Sequence, residues 1–133
     1  YIRTLCNDIG ETLGCHAAMS ALRRTKIGRY TSEQAYSIED AEHLAESGAI
    51  ESILIPLDEP LSLFPRVDVK EDDERFAIAG NLLEQHNFLT DISQMKTGTK
   101  VRIYGNNRFL AVGTCQDTQT VKPNKVLVRA ENG

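Results

Sequence analysis

Apolar residues near the start of the chain recur with the spacing of one helix face. They stand at Ile2, Leu5, Ile9 and Leu13, in steps of three or four residues, which is the periodicity of a helix with one buried side. Gly14 follows, and glycine readily takes the left-handed conformation that commonly ends a helix. The pattern therefore predicts a helix that ends before Gly14.

The rest of the first half carries one clear helix signal and one strand signal. The motif Ser37-Ile-Glu-Asp40 is a capping box, and it predicts a helix to about Ser47 that stops at Gly48. Residues Leu22–Ile27 are predicted to form a short strand or an extended segment. Both elements precede the apolar run Ile53–Leu57, which we predict to be buried.

Prolines punctuate the chain near the end of this run and indicate a change of domain. They are Pro56, Pro60 and Pro65, and exposed proline-rich stretches are typical of domain boundaries. We place the boundary at about residues 60–65. The sequence then predicts one domain over residues 1–62 and a second over residues 63–133.

The second half contains several short periodic segments. Arg66–Val69 alternates like a strand, and Lys70–Gln85 is predicted to be a helix with acidic residues at 71–74, the end of the helix dipole that favours carboxylates. Further strands are predicted over Lys100–Tyr104 and Arg108–Thr114. They are joined by Gly105-Asn106-Asn107, residue types that tolerate the positive φ of a hairpin turn.

A turn at Pro123-Asn124 and a last strand over Lys125–Arg129 complete the predicted elements. The second half is thus a small, mostly β unit with one helix at its entry. Together with the helices of the first half, this predicts the α+β class.

Composition and charge narrow the function classes. Of 133 residues, 41% are hydrophobic and 26% charged, which excludes a disordered chain. No apolar run approaches the roughly 20 residues that span a bilayer, so no membrane partner is predicted. The net charge of −4 argues against a nucleic-acid partner when taken as an average.

The charges are, however, segregated along the chain. Residues 1–30 carry five basic and two acidic side chains, residues 31–91 carry three and fifteen, and residues 92–133 carry seven and two. Both ends are therefore basic and suited to contact a polyanion although the whole chain is acidic.

The cysteines and the start of the chain suggest its compartment and its origin. Cys6, Cys15 and Cys115 are odd in number and form no C-x-x-C pair, which predicts neither a disulfide framework nor a zinc site and fits a reducing, cytoplasmic location. The chain starts at Tyr1 without the basic and apolar regions of a signal peptide. We expect it to be a fragment of a longer protein.

The common signatures of nucleophilic, metal and nucleotide chemistry are missing from the sequence. It contains no G-x-S-x-G, H-E-x-x-H, Walker A or Rossmann glycine pattern. His16, His43 and His86 are widely scattered, and the acidic residues 71–74 are explained by a solvated helix start. No metal site is predicted.

Several blocks of the chain, concentrated in the first 30 residues, match a known pattern. They are Tyr1-Ile2-Arg3-Thr4-Leu5, Asp8-Ile9-Gly10, Leu13-Gly14, Ser20-Ala21-Leu22-Arg23-Arg24-Thr25 and, more weakly, Ser37–Asp40 and Leu54–Asp58. With these blocks the chain resembles the TruB-type tRNA pseudouridine synthases. The resemblance implies the C-terminal part of a pseudouridine synthase catalytic domain, followed by a small PUA-like β-barrel domain that binds RNA.

The family isomerises a uridine of the tRNA T-loop (conventionally position 55) to pseudouridine, without metal or organic cofactor. The glycosidic bond is cleaved, the base rotates and C5 is rejoined to the ribose, which requires that the nucleotide leave the stack. The resemblance implies that Tyr1 contacts the base and transfers a proton at C5, that Arg3 pairs with the catalytic aspartate, and that Leu22 packs against the base. Cations along a strand edge suit a phosphate backbone, and the candidates for that contact are Arg23, Arg24 and Lys26.

One part of the family's site is missing from the sequence. The catalytic aspartate of the family lies in a G-x-x-D motif of the N-terminal half, whereas Asp8 and Asp40 lie in predicted helices. We therefore expect this chain to be inactive alone. Its first half is expected to pair with the N-terminal half of the same enzyme, to self-associate through unpaired strands, or to be poorly ordered.

Two alternatives stay open. The guide-RNA-dependent branch of the family shares the catalytic pattern but works in a ribonucleoprotein. A non-catalytic RNA-binding module would instead use the basic last part of the chain, where Tyr104 or Phe109 is available to stack on a base. Its candidate RNA contacts are Lys100, Arg102, Arg108 and Lys122.

Overall fold

A computed structural model describes residues 1–128 of the chain. Its contacts divide the chain into two compact units, Tyr1–Ile53 and a second that begins at Leu54. The domain boundary between residues 62 and 63 stays a prediction. Among the described residues no helix is long and apolar enough to cross a bilayer.

The first unit is built from two helices and a minimal hairpin. Helix α1 covers Ile2–Thr12 and helix α2 covers Ile38–Glu46. Strands β1 (Lys26–Ile27) and β2 (Tyr30–Thr31) pair antiparallel. The prediction of both helices is confirmed, whereas only Lys26–Ile27 of the predicted segment over residues 22–27 forms a strand.

Both helices end and begin as their sequence signals require. Gly14 follows α1 with a φ of +68° and Gly48 follows α2 with a φ of +72°, conformations that cost glycine little. At the start of α2, the Ser37 Oγ accepts the Asp40 N–H at 3.0 Å, and the Asp40 carboxylate accepts the Ser37 N–H at 3.1 Å. This reciprocal capping box satisfies two N–H groups that a helix start leaves open.

The predicted burial of residues 53–57 is wrong. Leu54, Ile55 and Leu57 are 65%, 49% and 71% exposed. The run lies in a short 3₁₀ turn and irregular connections rather than in a strand, so no neighbouring strand covers it in the described part of the chain.

The second unit is a curled five-stranded sheet. Its strands are β3 (Arg66–Asp68), β4 (Leu83–Glu84), β5 (Lys100–Gly105), β6 (Arg108–Cys115) and β7 (Thr120–Val126). They lie in the order β3-β5-β6-β7-β4, with β3 parallel to β5 and the other pairs antiparallel. A bridge between Val69 and Phe88 joins the two edges, and the predicted α+β class is confirmed.

Alternation along the strands separates a core from an outer face. In β5, Val101 and Ile103 are fully buried while Lys100 and Arg102 point to the opposite side. The core includes Val67, Leu83, Ile92, Leu110 and Val121. The polar residues of β5–β7 are thereby presented together on the outer face, as the period of two requires.

Two predicted elements of this unit need correction. Instead of a helix over residues 70–85, the structure has a five-residue helix α3 over Glu74–Ile78. It ends near Gly80, which has a φ of +71°. Leu83, which falls within the predicted helix, is buried in β4.

Pro123 and Asn124 do not turn the chain but lie within β7. The register shifts there, because Val112 faces Lys125 and the next residue, Gly113, faces Pro123. Asn124 is thus the extra residue of a bulge. A strand tolerates proline at a bulge, which explains the neighbouring Pro123. The predicted last strand ends at Val126, and Arg129 lies outside the described residues.

Candidate functional site

The chain reverses after α1, and this reversal builds the candidate site of the first unit. The Gly10 carbonyl accepts hydrogen bonds from the N–H groups of Cys15 and His16, both at 3.1 Å. A Cβ atom on Gly10 would lie only 2.1 Å from the Ala17 nitrogen. The returning segment can therefore pack closely on the helix because residue 10 has no side chain.

The returning segment and the start of α1 line an open cavity of about 380 Å³. Its lining includes Tyr1, Arg3, Leu22 and Arg24, together with Met19. The structure thus brings together four residues that the sequence singled out. Met19 was not predicted, since a lone methionine in a stretch of small residues carries no recognisable signal.

Arg3 lines this cavity and has no anionic partner among residues 1–128. It lies in the first turn of α1, which contains no acidic residue, at the helix end where the dipole disfavours a cation. Within residues 1–128 its guanidinium forms no salt bridge. The site therefore presents an unneutralised positive charge beside the exposed ring of Tyr1 and the side chain of Leu22, which is 66% exposed.

A second, smaller cavity of about 190 Å³ lies at the hairpin. Arg24 and Lys26 line it together with Tyr30 and Thr31. The Tyr30 hydroxyl is buried and has no hydrogen-bond partner in the described part of the chain. Of the predicted phosphate contacts, Arg24 thus borders both cavities, Lys26 borders the second, and Arg23 is exposed.

The predicted cations of the second unit have different surroundings. The Lys100 ammonium lies 5.9 Å from the centre of the Phe64 ring, and the Lys122 Nζ donates to the Gly80 carbonyl at 2.8 Å. Arg108 is half exposed, with its guanidinium 3.9 Å from the Glu74 carboxylate. These three cations remain accessible to a polyanion.

Arg102 and Tyr104, which the sequence offered as RNA contacts, are largely buried and bonded within the second unit. The Arg102 side chain is only 16% exposed and forms an ion pair with Asp58 at 3.6 Å. Its Nε donates to the Phe64 carbonyl at 3.0 Å. Tyr104 is 4% exposed and its ring packs 5.3 Å from that of Phe109. Arg102 and Tyr104 thus hold residues 58–64, the connecting segment that leads into β3, on the sheet.

Asp58 is the centre of this polar cluster. The Tyr104 hydroxyl donates to its carboxylate, and this hydrogen bond is the main reason why the pKa of Asp58 lies below its ordinary value, with Arg102 and Arg66 adding to the effect. Burial, followed by the hydrogen bond to Asp58, raises the pKa of Tyr104. Arg66 stacks on the Tyr104 ring at 4.0 Å and forms a 2.6 Å ion pair with Asp68.

The described residues offer no arrangement for a metal ion. No group of three or more His, Cys, Asp or Glu side chains within residues 1–128 is placed to hold one. The chemistry of the two cavities is therefore that of cations, an aromatic ring and apolar side chains.

Comparison with known proteins identifies the family to which the chain is similar. A family model described as the tRNA pseudouridylate synthase B C-terminal domain matches residues 3–62. The protein named tRNA pseudouridine synthase B of Alkaliphilus oremlandii is 36% identical over 113 residues, which cover 85% of this chain and 36% of that protein. The protein of the same name from Lachnoclostridium phytofermentans is 34% identical over 105 residues, covering 78% of this chain and 34% of that protein.

A solved structure shares the fold. One chain in the structure of an H/ACA RNP bound to a substrate RNA containing 2′-deoxyuridine superposes with a TM-score of 0.70 at 24% identity. The superposition covers 98% of this chain and 47% of the other. This likeness concerns the fold alone.

The matches define the class as that of proteins with a tRNA pseudouridylate synthase B C-terminal domain. Within that class, the chain belongs to the TruB family of tRNA pseudouridine synthases, of which it represents the C-terminal portion. It spans about a third of the length of the two curated relatives described above.

Proposed function

We propose that this chain supplies part of the active site of an enzyme that isomerises a T-loop uridine of tRNA to pseudouridine. The observation that carries the proposal is the cavity at which Tyr1, Arg3 and Leu22 meet. A flipped uracil needs an apolar wall and a group that contacts its edge, and Leu22 and Tyr1 provide these. A cytoplasmic location follows from this proposal and stays a prediction.

Arg3 acts in this proposal as the partner of the catalytic aspartate. Its guanidinium has no anionic partner within residues 1–128, and a carboxylate supplied from another segment would neutralise it. A paired guanidinium keeps a carboxylate ionised and orients it through charge-assisted hydrogen bonds. Arg23, Arg24 and Lys26 would contact the phosphates on either side of the flipped nucleotide.

The aspartate itself must come from the N-terminal half of the same enzyme, which is the partner we propose for the first unit. Ile2, Leu5, Ile9 and Leu13 form the apolar face of α1, yet all four are about half exposed or more in the described chain. A helix face of this kind is normally covered by packing. The chain alone is accordingly expected to be inactive, and to self-associate where the N-terminal half is missing.

The test is pseudouridine formation in a T-stem-loop RNA after the chain is combined with an N-terminal half that bears the catalytic aspartate. Arg3→Ala should lower turnover by about 100-fold or more, because loss of one partner of a buried charge pair leaves the other unpaired. Arg75→Ala removes an exposed cation of the second unit and should leave turnover unchanged. Equal turnover of Arg3→Ala and the unmodified protein would refute the role of Arg3.

A second candidate function is that of a non-catalytic RNA-binding module. It is favoured by the accessible cations Lys100, Arg108 and Lys122 of the second unit. RNA bound in this way should dissociate as salt rises, because phosphate contacts release counterions. RNA binding without any pseudouridine formation in the reconstituted protein would favour this function over the first.

A further inference from the structure

The connecting segment, residues 58–64, is held at both of its ends by one side chain of β5. Arg102 forms an ion pair with Asp58 at 3.6 Å, and its Nε donates to the Phe64 carbonyl at 3.0 Å. The guanidinium also donates to the Asp58 carbonyl at 3.5 Å. Because this side chain is only 16% exposed, its hydrogen bonds are largely shielded from water and are stronger than at the surface. Arg102 thus clasps the first residue of the segment and the last.

Further hydrogen bonds make the connecting segment a folded part of the second unit. The Tyr104 hydroxyl donates to the Asp58 carboxylate. Within the segment, the N–H groups of Leu61, Ser62 and Phe64 each donate to the carbonyl group three residues earlier, at distances between 2.8 and 3.1 Å. Local opening of the segment must therefore break these bonds together with those of Arg102.

The chain just before the connecting segment has few such contacts. The N–H groups of Leu54, Ile55 and Leu57 form no hydrogen bond within residues 1–128, and the three side chains are about half exposed or more. Pro56 has no N–H group and disfavours a helical conformation of the residue before it, which prevents a helix from covering these positions. The backbone is therefore held less firmly here than in the connecting segment.

We propose that the connecting segment is locked onto the second unit as a strap, and that residues 54–57 are the joint about which the two units move. The proposal places the joint before the boundary predicted between residues 62 and 63. An extended chain covers about 3.5 Å per residue, so the joint spans about 14 Å at most, whereas release of the segment would lengthen the free connection to about 38 Å. The clasp at Arg102 thus keeps this connection short, whether or not the chain takes part in pseudouridine formation.

Limited digestion of the whole 133-residue chain with thermolysin, which cleaves before large apolar residues, tests where the backbone opens. Leu63 is 94% exposed and Leu54 is 65% exposed, so exposure alone favours a cut before Leu63. We expect instead that the stable fragment containing the second unit begins within residues 54–57, because cleavage requires backbone that opens locally. Mass spectrometry identifies its first residue. A fragment that begins within residues 58–64, or resistance of residues 54–57 to cleavage, would overturn the proposal.

Arg102→Gln removes the clasp and tests its role. Cleavage before Leu63 should become about 10-fold faster or more, because the segment loses the hydrogen bonds of a charged and shielded group. Arg75→Gln is the matched control, since it removes an exposed cation of the same unit that lies over the Phe76 ring. This control should leave the cleavage rate unchanged. Equal rates for Arg102→Gln and the unmodified chain would refute the clasp.

Hydrogen exchange distinguishes release of the connecting segment from unfolding of the whole sheet. In Arg102→Gln, the three bonded amides of the segment should exchange about 10-fold faster or more, while the amides of β6 keep their protection. If β6 loses protection as well, Tyr104→Phe provides the measurement, because it keeps the ring and removes only the hydroxyl that bonds to Asp58. The same three amides should then exchange about 5-fold faster. Unchanged exchange of these amides in Tyr104→Phe would overturn the proposal.

Discussion

Asp58 shows at the scale of one residue how the connecting segment is fixed to the sheet. Its carboxylate accepts the Tyr104 hydroxyl and pairs with Arg102, and both partners lie on β5. The sequence indicated Asp58 only as the last residue of the weakly matching block Leu54–Asp58. Its partners lie more than 40 residues further along the chain, a separation that periodicity cannot reveal.

The contribution of Asp58 to stability should depend on pH. Its pKa is lowered in the folded chain, so the stabilisation is present above the unfolded value of about 3.9 and is lost as the pH falls through the folded value. Asp58→Asn should therefore destabilise the second unit at pH 7, and the difference from the unmodified chain should vanish in acid.

Urea unfolding at pH 7 and at pH 3 measures this difference. Asp72→Asn is the control, because Asp72 is exposed in the same unit and forms no hydrogen bond with the described residues. A difference between the unmodified chain and Asp58→Asn that persists unchanged at pH 3 would contradict the assigned role.

Gly10 determines whether the returning segment can pack on α1. Gly10→Ala places a Cβ atom 2.1 Å from the Ala17 nitrogen, and overpacking of this kind typically costs about 1–3 kcal/mol. The amides of Cys15 and His16, which bond to the Gly10 carbonyl, should exchange with solvent about 10- to 100-fold faster.

Hydrogen exchange followed by NMR tests this prediction residue by residue. Asp8→Ala is the matched control, because it changes an exposed position of the same helix to the best helix former and adds no atom at the contact. Unchanged protection of both amides in Gly10→Ala would show that the close approach does not hold the segment.

At the scale of elements, the hairpin between β5 and β6 was predictable because its signal is local. Asn106 and Asn107 have φ values of +47° and +61°, as a two-residue turn of this hand requires. The short length of α3, compared with the helix predicted over residues 70–85, was not predictable. Gly80, with its positive φ, follows the end of this helix. Leu83 pairs with β7 instead, a tertiary contact that local helix and strand propensities do not encode.

The turn yields a prediction at a single position with its own control. Asn106→Ala should destabilise the second unit by about 1 kcal/mol, because alanine lacks the short polar side chain whose local hydrogen bonding lets asparagine adopt the left-handed conformation. Asn106→Gly should be close to neutral, since glycine adopts positive φ freely. Thermal unfolding of both variants measures the two effects, and an equal loss of stability in both would rule out the conformational explanation.

At the scale of the whole molecule, the sequence was informative about the family and less so about packing. Tyr1, Arg3, Leu22 and Arg24 of the candidate cavity were predictable because they lie in two matching blocks near the start of the chain, Tyr1–Leu5 and Ser20–Thr25. That the second block returns to the first depends on the contact at Gly10, which no local pattern encodes. The exposure of Leu54–Leu57 was not predicted, because apolar composition alone does not show whether another part of the protein covers a segment.

The segregation of charge also acquires a structural meaning. The basic first 30 residues supply the cations that line the two cavities of the first unit, Arg3, Arg24 and Lys26, while the basic last part supplies Lys100 and Lys125, which line a groove on the second unit. Both surfaces carry positive charge in a chain whose net charge is −4. An average over the chain therefore conceals the two surfaces that suit RNA.

The most direct test of the account is pseudouridine formation in a T-stem-loop RNA. The chain and an N-terminal half bearing the catalytic aspartate are assayed separately and together, with complex formation followed by light scattering. We expect pseudouridine only from the combined halves, and its loss when Arg3 is replaced by Ala. A stable complex that forms no pseudouridine, or one in which Arg3→Ala turns over normally, would contradict the assignment of the Tyr1–Arg3–Leu22 cavity to the active site.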